Sequence, residues 1–155
     1  MMRCEISLMR ARTGRLIRRL GPSLTSDGGP SDAYSLDWSP DGRQLLYSPM
    51  ACCDLFADVH LYVERVDGTG RRQLTFARGQ DVSGVWSPDG RRIAFVRIRA
   101  REGVGMLFSI WTIPVRGGRA TRIWSLPVLD DPELEFGPYN TPRISWQPLP
   151  RRGSR

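Results

Sequence analysis

The sequence predicts an all-β chain assembled from a repeated unit of four short antiparallel strands. Two observations carry that prediction. The residues Trp38-Ser39-Pro40-Asp41-Gly42-Arg43 return as Trp86-Ser87-Pro88-Asp89-Gly90-Arg91, and a shortened third copy, Ser145-Trp146-Gln147-Pro148, follows near the C-terminus. Around each full copy, short apolar runs alternate with turn signals at even spacing.

Residues 5–20 carry Ile6, Leu8, Leu16, Ile17 and Leu20 around Thr13-Gly14 and are expected to form an outer pair of strands. The stretch from Gly21 to Asp32 is rich in Gly, Pro, Ser and Asp and reads as a loop. In the first full unit, Tyr34 to Trp38 and Leu45 to Tyr47 flank Ser39-Pro40-Asp41-Gly42. Ser suits the first position of a type I turn, Pro presets φ at the second, and Gly accepts a positive φ, so the segment predicts a hairpin. A second pair follows, Leu61 to Val63 and Arg72 to Leu74 around Asp67-Gly68. The next unit repeats the plan with Val82 to Trp86, Ile93 to Val96, Ile110 to Thr112 and Arg122 to Trp124, the last two around Gly117-Gly118. An inner strand is expected at 143–147.

The second strand of each unit is apolar at consecutive positions, Leu45-Leu46-Tyr47 and Ile93-Ala94-Phe95-Val96, so both faces of each sheet must be covered. Four-stranded sheets stacked face to face, with a period of about 40 to 50 residues, describe the blades of a β-propeller. The expected fold is therefore a partial β-propeller in one domain over 1–150, followed by a tail at 151–155. Two full blades are expected at about 34–75 and 82–125, with a composite or incomplete third from the outer strands at 5–20 and the inner strand at 143–147. Closed propellers have about four to eight blades. The chain is thus expected either to be the C-terminal portion of a longer propeller or to form a half-ring, which a homodimer would close into six blades.

The order Trp-Ser-Pro-Asp-Gly-Arg, apolar strand, Tyr- or Trp-bearing strand, Asp-Gly, then Arg71-Arg72-Gln73-Leu74-Thr75 resembles the TolB-type propeller repeat. The ending Ser145-Trp146-Gln147-Pro148-Leu149-Pro150 is similar to the way many members of that broad family finish their last blade. The resemblance implies a periplasmic or extracytoplasmic setting and a protein partner. It also implies an alternative, the propeller portion of a prolyl-oligopeptidase-like serine peptidase, in which similar repeats gate a separate hydrolase domain.

The net charge is +7 and all 23 basic residues are Arg, a bias that weakens any functional reading of their number. Arg15, Arg18, Arg19, Arg71, Arg72, Arg119 and Arg122 fall on or beside outer strands, where charge discourages edge-to-edge aggregation. A solvated rim is expected, and no nucleic acid. Cys4, Cys52 and Cys53 are too few and too awkwardly spaced for a disulfide framework. No stretch approaches the ~18 apolar residues of a membrane span, and residues 1–20 interleave Arg throughout, so no export signal is read here.

In an up-and-down blade the tight turns share one end and the long connections collect at the other, where irregular loops on a rigid scaffold usually bind. The expected binding face comprises Asp27, Asp32, Asp54, Asp58, Arg78, Gln80, Asp81, Arg101, Glu102, Asp130, Asp131 and Glu133. Cys52, Cys53, Asp54, Asp58 and His60 match no zinc spacing, and Asp130 to Glu135 lacks the calcium-loop pattern. No metal and no cofactor are expected. There is no Gly-x-Ser-x-Gly elbow and no phosphate loop. Trp38, Trp86 and Trp146 are expected to pack between blades. The sequence thus points to a non-enzymatic scaffold or binding module that presents its loop face to a protein or small ligand. A truncated fragment without independent function is the remaining alternative.

Overall fold

In the structure, a computed structural model that describes residues 4–24, 35–48, 58–101, 105–125 and 143–147, both Ser-Pro-Asp-Gly copies close the same hydrogen-bonded turn. Ser39 N–H donates to Gln44 O at 2.9 Å and Gly42 N–H to Ser39 O at 2.8 Å. The glycines take the left-handed conformation that a Cβ would strain, with φ of 68° at Gly42 and 70° at Gly90. A side-chain staple completes the turn. Ser39 Oγ donates to Asp41 Oδ1 at 2.6 Å, and that oxygen accepts Arg43 N–H at 3.1 Å. The second copy repeats it, with Ser87 Oγ donating to Asp89 Oδ1 at 2.6 Å and Arg91 N–H at 3.0 Å. Val66 N–H to Arg43 O at 3.0 Å and Val115 N–H to Arg91 O at 2.9 Å then tie the two turns of each unit together.

The N-terminal hairpin, β1 (Cys4–Met9) and β2 (Leu16–Leu24), forms a two-stranded sheet of its own. The first blade runs β3 (Ser35–Trp38), β4 (Gln44–Ser48), β5 (Tyr62–Arg65) and β6 (Arg72–Gln73). The second runs β7 (Gln80–Trp86), β8 (Arg92–Arg101), β9 (Gly105–Pro114) and β10 (Thr121–Ser125). In both blades every strand is antiparallel to its sequence neighbour. The described residues contain no helix, and so none long and apolar enough to cross a membrane.

Alternation along the strands gives each blade two apolar faces, and one shared layer joins them. Leu46, Leu61, Val63 and Leu74 of the first blade pack with Trp86, Ile93, Phe95 and Ile113 of the second. Two local features let the blades come this close. A bulge between Val82 and Val85 places Ser83 at a φ of 52°, and the next residue is a glycine. A Cβ on Gly84 would stand 2.9 Å from Leu46 Cδ2 and 3.0 Å from Leu61 Cδ2. At the inner edge Asp37 bridges the blades, its Oδ2 accepting Trp86 N–H at 2.7 Å while Oδ1 accepts Trp38 N–H at 2.9 Å. On the far face of the second blade Val82, Val96, Ile98 and Phe108 form a second cluster with Val59.

Three expectations change. The irregular connection expected between Arg99 and Gly105 is largely strand, because the β8–β9 ladder continues through Arg99↔Leu107 to Arg101↔Gly105. The inner strand expected at 143–147 carries no sheet pairing, although Ile144 packs against the second cluster. Residues 21–24, expected in a loop, belong to β2, which continues to Leu24. The acidic stretch at 126–142 lies outside the described residues.

Phe95 is fully buried at the centre of the shared layer, so Phe95→Ala is expected to cost about 3–5 kcal/mol. Urea unfolding followed by circular dichroism checks this, and a loss below about 1 kcal/mol would contradict the layer's role. The turn staples predict acid sensitivity. The Ser39 hydroxyl and the Arg43 N–H hold Asp41 below its ordinary value of 3.8, and Ser87 and Arg91 do the same for Asp89. A carboxylate depressed in the folded state contributes stability that is complete above its unfolded value and is lost as pH falls through the folded one. The urea midpoint is therefore expected to drop from about pH 5 downward. The drop should be smaller in Asp41→Asn/Asp89→Asn, and equal drops would contradict the staples' contribution.

Candidate functional site

The end of the stack opposite the tight turns is held by a clamp between two connections. Val59 bridges Gln80 in parallel, with Val59 N–H donating to Gly79 O at 3.1 Å and Asp81 N–H to Val59 O at 2.8 Å. Asp58 Oδ1 accepts Gly79 N–H at 2.7 Å. Glycine is required at position 79, where φ is 104° and a Cβ would lie 2.5 Å from Ile98 O. Beside the clamp, Arg99 Nε donates to Arg78 O at 3.2 Å, and Asp58, Arg78, Arg99 and Arg101 are all exposed. The described part of this surface thus exposes Arg78, Arg99 and Arg101 together with Asp58, and the Asp58 carboxylate already serves the clamp.

Asp81 is not part of the surface. It is 0% exposed, and Arg97 beside it 3%, although the sequence suggested a loop residue. Arg97 Nε and Nη2 donate to the two Asp81 oxygens at 2.6 Å and 2.8 Å, a bidentate pair set by the Asp81↔Arg97 register of β7 and β8. The guanidinium lies over the Phe95 and Trp111 rings, 5.4 Å and 4.7 Å from their centroids. Trp111 Nε1 donates to Ser109 Oγ at 2.8 Å, and Ser109 Oγ donates to Arg97 O at 3.3 Å. Gln80 is buried on β7 as well. Arg101 sits at the end of β8 rather than in a loop. Of the expected binding face, then, Asp58, Arg78 and Arg101 are exposed together at this end, whereas Gln80 and Asp81 belong to the interior. Asp27, Asp32, Asp54, Glu102, Asp130, Asp131 and Glu133 lie outside the described residues, as do Cys52 and Cys53.

A second buried polar group occupies the outward face of the first blade. The Tyr47 hydroxyl donates to Glu64 Oε2 at 2.9 Å, and burial, followed by this bond, pushes the phenol above its ordinary range. Tyr47 stacks on Tyr62 at 5.9 Å, and Arg71 lies 4.7 Å from the Tyr62 ring centroid. Sequence reasoning missed Arg97, Glu64 and Asp37. A signal for the first was present, since Arg97 interrupts the apolar run Phe95-Val96-Ile98 and so needs a partner. His60 is half-buried with no hydrogen-bond partner at Nδ1. Among the described residues no three His, Cys, Asp or Glu side chains gather to hold a metal ion. The exposed end can form charge-assisted hydrogen bonds, and that is its visible chemistry.

No family model matches the chain. Over 87 residues it is 36% identical to Dipeptidyl-peptidase 5 of Porphyromonas endodontalis, a match covering 55% of this chain and 12% of that protein. Among solved structures, TolB from Acinetobacter baumannii matches with a TM-score of 0.54 and 21% identity, over 78% of this chain and 27% of that one. Kuenenia stuttgartiensis Hydrazine Synthase matches with a TM-score of 0.52 and 19% identity, over 77% of this chain and 35% of that one. The architecture is that of a partial β-propeller. At these identities the structural likeness carries the fold alone, and the chain spans only a small part of each of these three proteins.

Breaking one side of the buried pair leaves an uncompensated charge. Asp81→Leu is expected to cost about 3–5 kcal/mol, whereas Asp81→Leu/Arg97→Met should cost much less than the sum of the two single changes. A double-mutant cycle from urea unfolding checks this, and strict additivity would contradict the coupling.

Proposed function

We propose that the chain is a non-enzymatic binding module of TolB-like propeller type, and that the end carrying Asp58, Arg78, Arg99 and Arg101 meets a protein partner through an acidic segment. The observation that supports this reading is the exposure of Arg78, Arg99 and Arg101 at one end of the two-blade stack. That is the end where the long connections leave, and Gly79 and Asp58 hold its backbone. Guanidinium groups pair with carboxylates in two-pronged geometry, which favours an acidic protein segment over a neutral one. The test is fluorescence anisotropy with labelled acidic and basic peptides of equal length. Arg78→Ser/Arg99→Ser/Arg101→Ser is expected to weaken acidic-peptide binding at least about tenfold, equivalent to ~1.4 kcal/mol, with the circular dichroism unchanged. Equal binding of both peptides, or no effect of the variant, would sink the reading.

A second reading rests on the match to Dipeptidyl-peptidase 5. In it the chain is the propeller portion of a serine peptidase, whose reactive groups lie on a separate hydrolase domain. Sequencing the full transcript separates the two. An in-frame hydrolase domain with a Gly-x-Ser-x-Gly elbow favours the peptidase, and its absence favours the binding module.

A further inference from the structure

On the outward face of the first blade the inner strand is exposed. In the second blade the corresponding face is covered, and Trp86 there is 5% exposed. Its repeat equivalent Trp38 is 44% exposed, and Leu36, on the same side of β3, is 46% exposed. Their neighbours on β4 and β5, Leu45, Tyr47 and Glu64, are buried. What is uncovered is therefore the inner strand, the position that β3 itself fills in front of β7. The N-terminal hairpin shows the complementary deficit. It is a two-stranded sheet among four-stranded ones, and it exposes Met9, Leu16 and Ile17 by 54%, 45% and 55%. A two-stranded hairpin is marginal in water unless further strands or a packed face support it.

The missing piece exists elsewhere in the chain. Residues 143–147 carry the third motif copy, Ser145-Trp146, and have no sheet pairing. Ile144 seats them on the Val82, Val96, Ile98 and Phe108 cluster, the face of the second blade that turns away from the first. The hairpin lies at the other end of the stack, where Arg18 of β2 reaches the β5–β6 turn and stands 2.9 Å from a Cβ placed on Gly68. With two blades between them, the hairpin and 143–147 cannot meet within one chain.

We propose that a second copy of this chain supplies the missing strand. Residues 143–147 of one copy lie along the free edge of β1 of the other, in front of Leu36 and Trp38, and the two-fold repeats the contact. Each junction becomes a three-stranded blade, and two half-rings close as one ring without an exposed seam. The proposal is independent of the guanidinium end, because the Arg78, Arg99 and Arg101 variant leaves this junction untouched.

Light scattering on the chromatographed chain is the first test, and the expected mass is twice 17.6 kDa. Leu36→Asp and Ile144→Asp, each with unchanged circular dichroism, are expected to give the single mass. The second test uses chains in which Cys4, Cys52 and Cys53 are replaced by Ser. Leu36→Cys and Gln147→Cys are placed on separate chains, mixed and oxidised under equilibrating conditions. A disulfide-linked pair of unlike chains, at several-fold excess over like pairs, supports the junction. A single mass for the unsubstituted chain at every concentration would overturn the proposal, as would a double mass that survives Leu36→Asp, or linkage no greater between unlike than between like chains.

Discussion

The two-blade stack depends on how closely two sheets can approach. Facing sheets come close where a small residue leaves room for the side chains opposite, and here that residue is a glycine. Gly84 stands where Leu46 and Leu61 press nearest, and the bulge at Ser83 turns the glycine rather than a larger neighbour toward them. The remaining features of the interface follow from that spacing. Asp37 can reach the Trp86 amide across the inner edge, and Arg72 can donate from Nη2 to the Val115 carbonyl across the outer one. Hydrogen bonds at both margins thus frame an apolar centre, which keeps the blades in register while burial supplies the attraction.

The interior charges show a different use of the same interface. Arg97 brings a guanidinium into the shared layer, which would be costly if it were alone. Asp81 neutralises it along its two-pronged edge, while Phe95 and Trp111 take its flat faces. The stem and the ring contacts let a charged residue fill an apolar position. In the first blade, Tyr47 and Tyr62 replace Phe95 and Trp111 on the outward face, away from the shared layer, and Glu64 is buried there beside Tyr47. The repeats share a skeleton and differ in where each places its charge.

Much of the fold was legible because its signals are local. Ser-Pro-Asp-Gly fixes a turn within a few residues, and consecutive apolar positions in β4 and β8 require sheets covered on both sides. What sequence reasoning missed depends on pairing across distance. Asp81 looked like a loop carboxylate until register placed Arg97 opposite it, and Arg101 looked irregular until Gly105 extended the ladder. Asp37 gave no signal, since the amide it accepts belongs to the other repeat. Similarly, 143–147 resembled an inner strand by motif, but a strand exists only with a neighbour to pair with. The exposed end was partly legible: Asp58, Arg78 and Arg101 were expected there, and Arg99 was found only through its bond to the Arg78 carbonyl.

The staple at Asp41 and Asp89 and the bridge at Asp37 differ in what gene duplication can copy. Every donor and acceptor of the staple lies within one short segment, so a duplicated segment arrives with its turn complete. The bridge spans two segments, and a copy carries only half of it. At the position matching Asp37 the second blade has Val85, which accepts no hydrogen bond from whatever follows. Turn chemistry is therefore free to spread along a lengthening array as an inherited part. At the blade junction described here, the side chains that join the two sheets, Asp37 at the inner edge and Arg72 at the outer, lie outside the motif that makes the repeats recognisable.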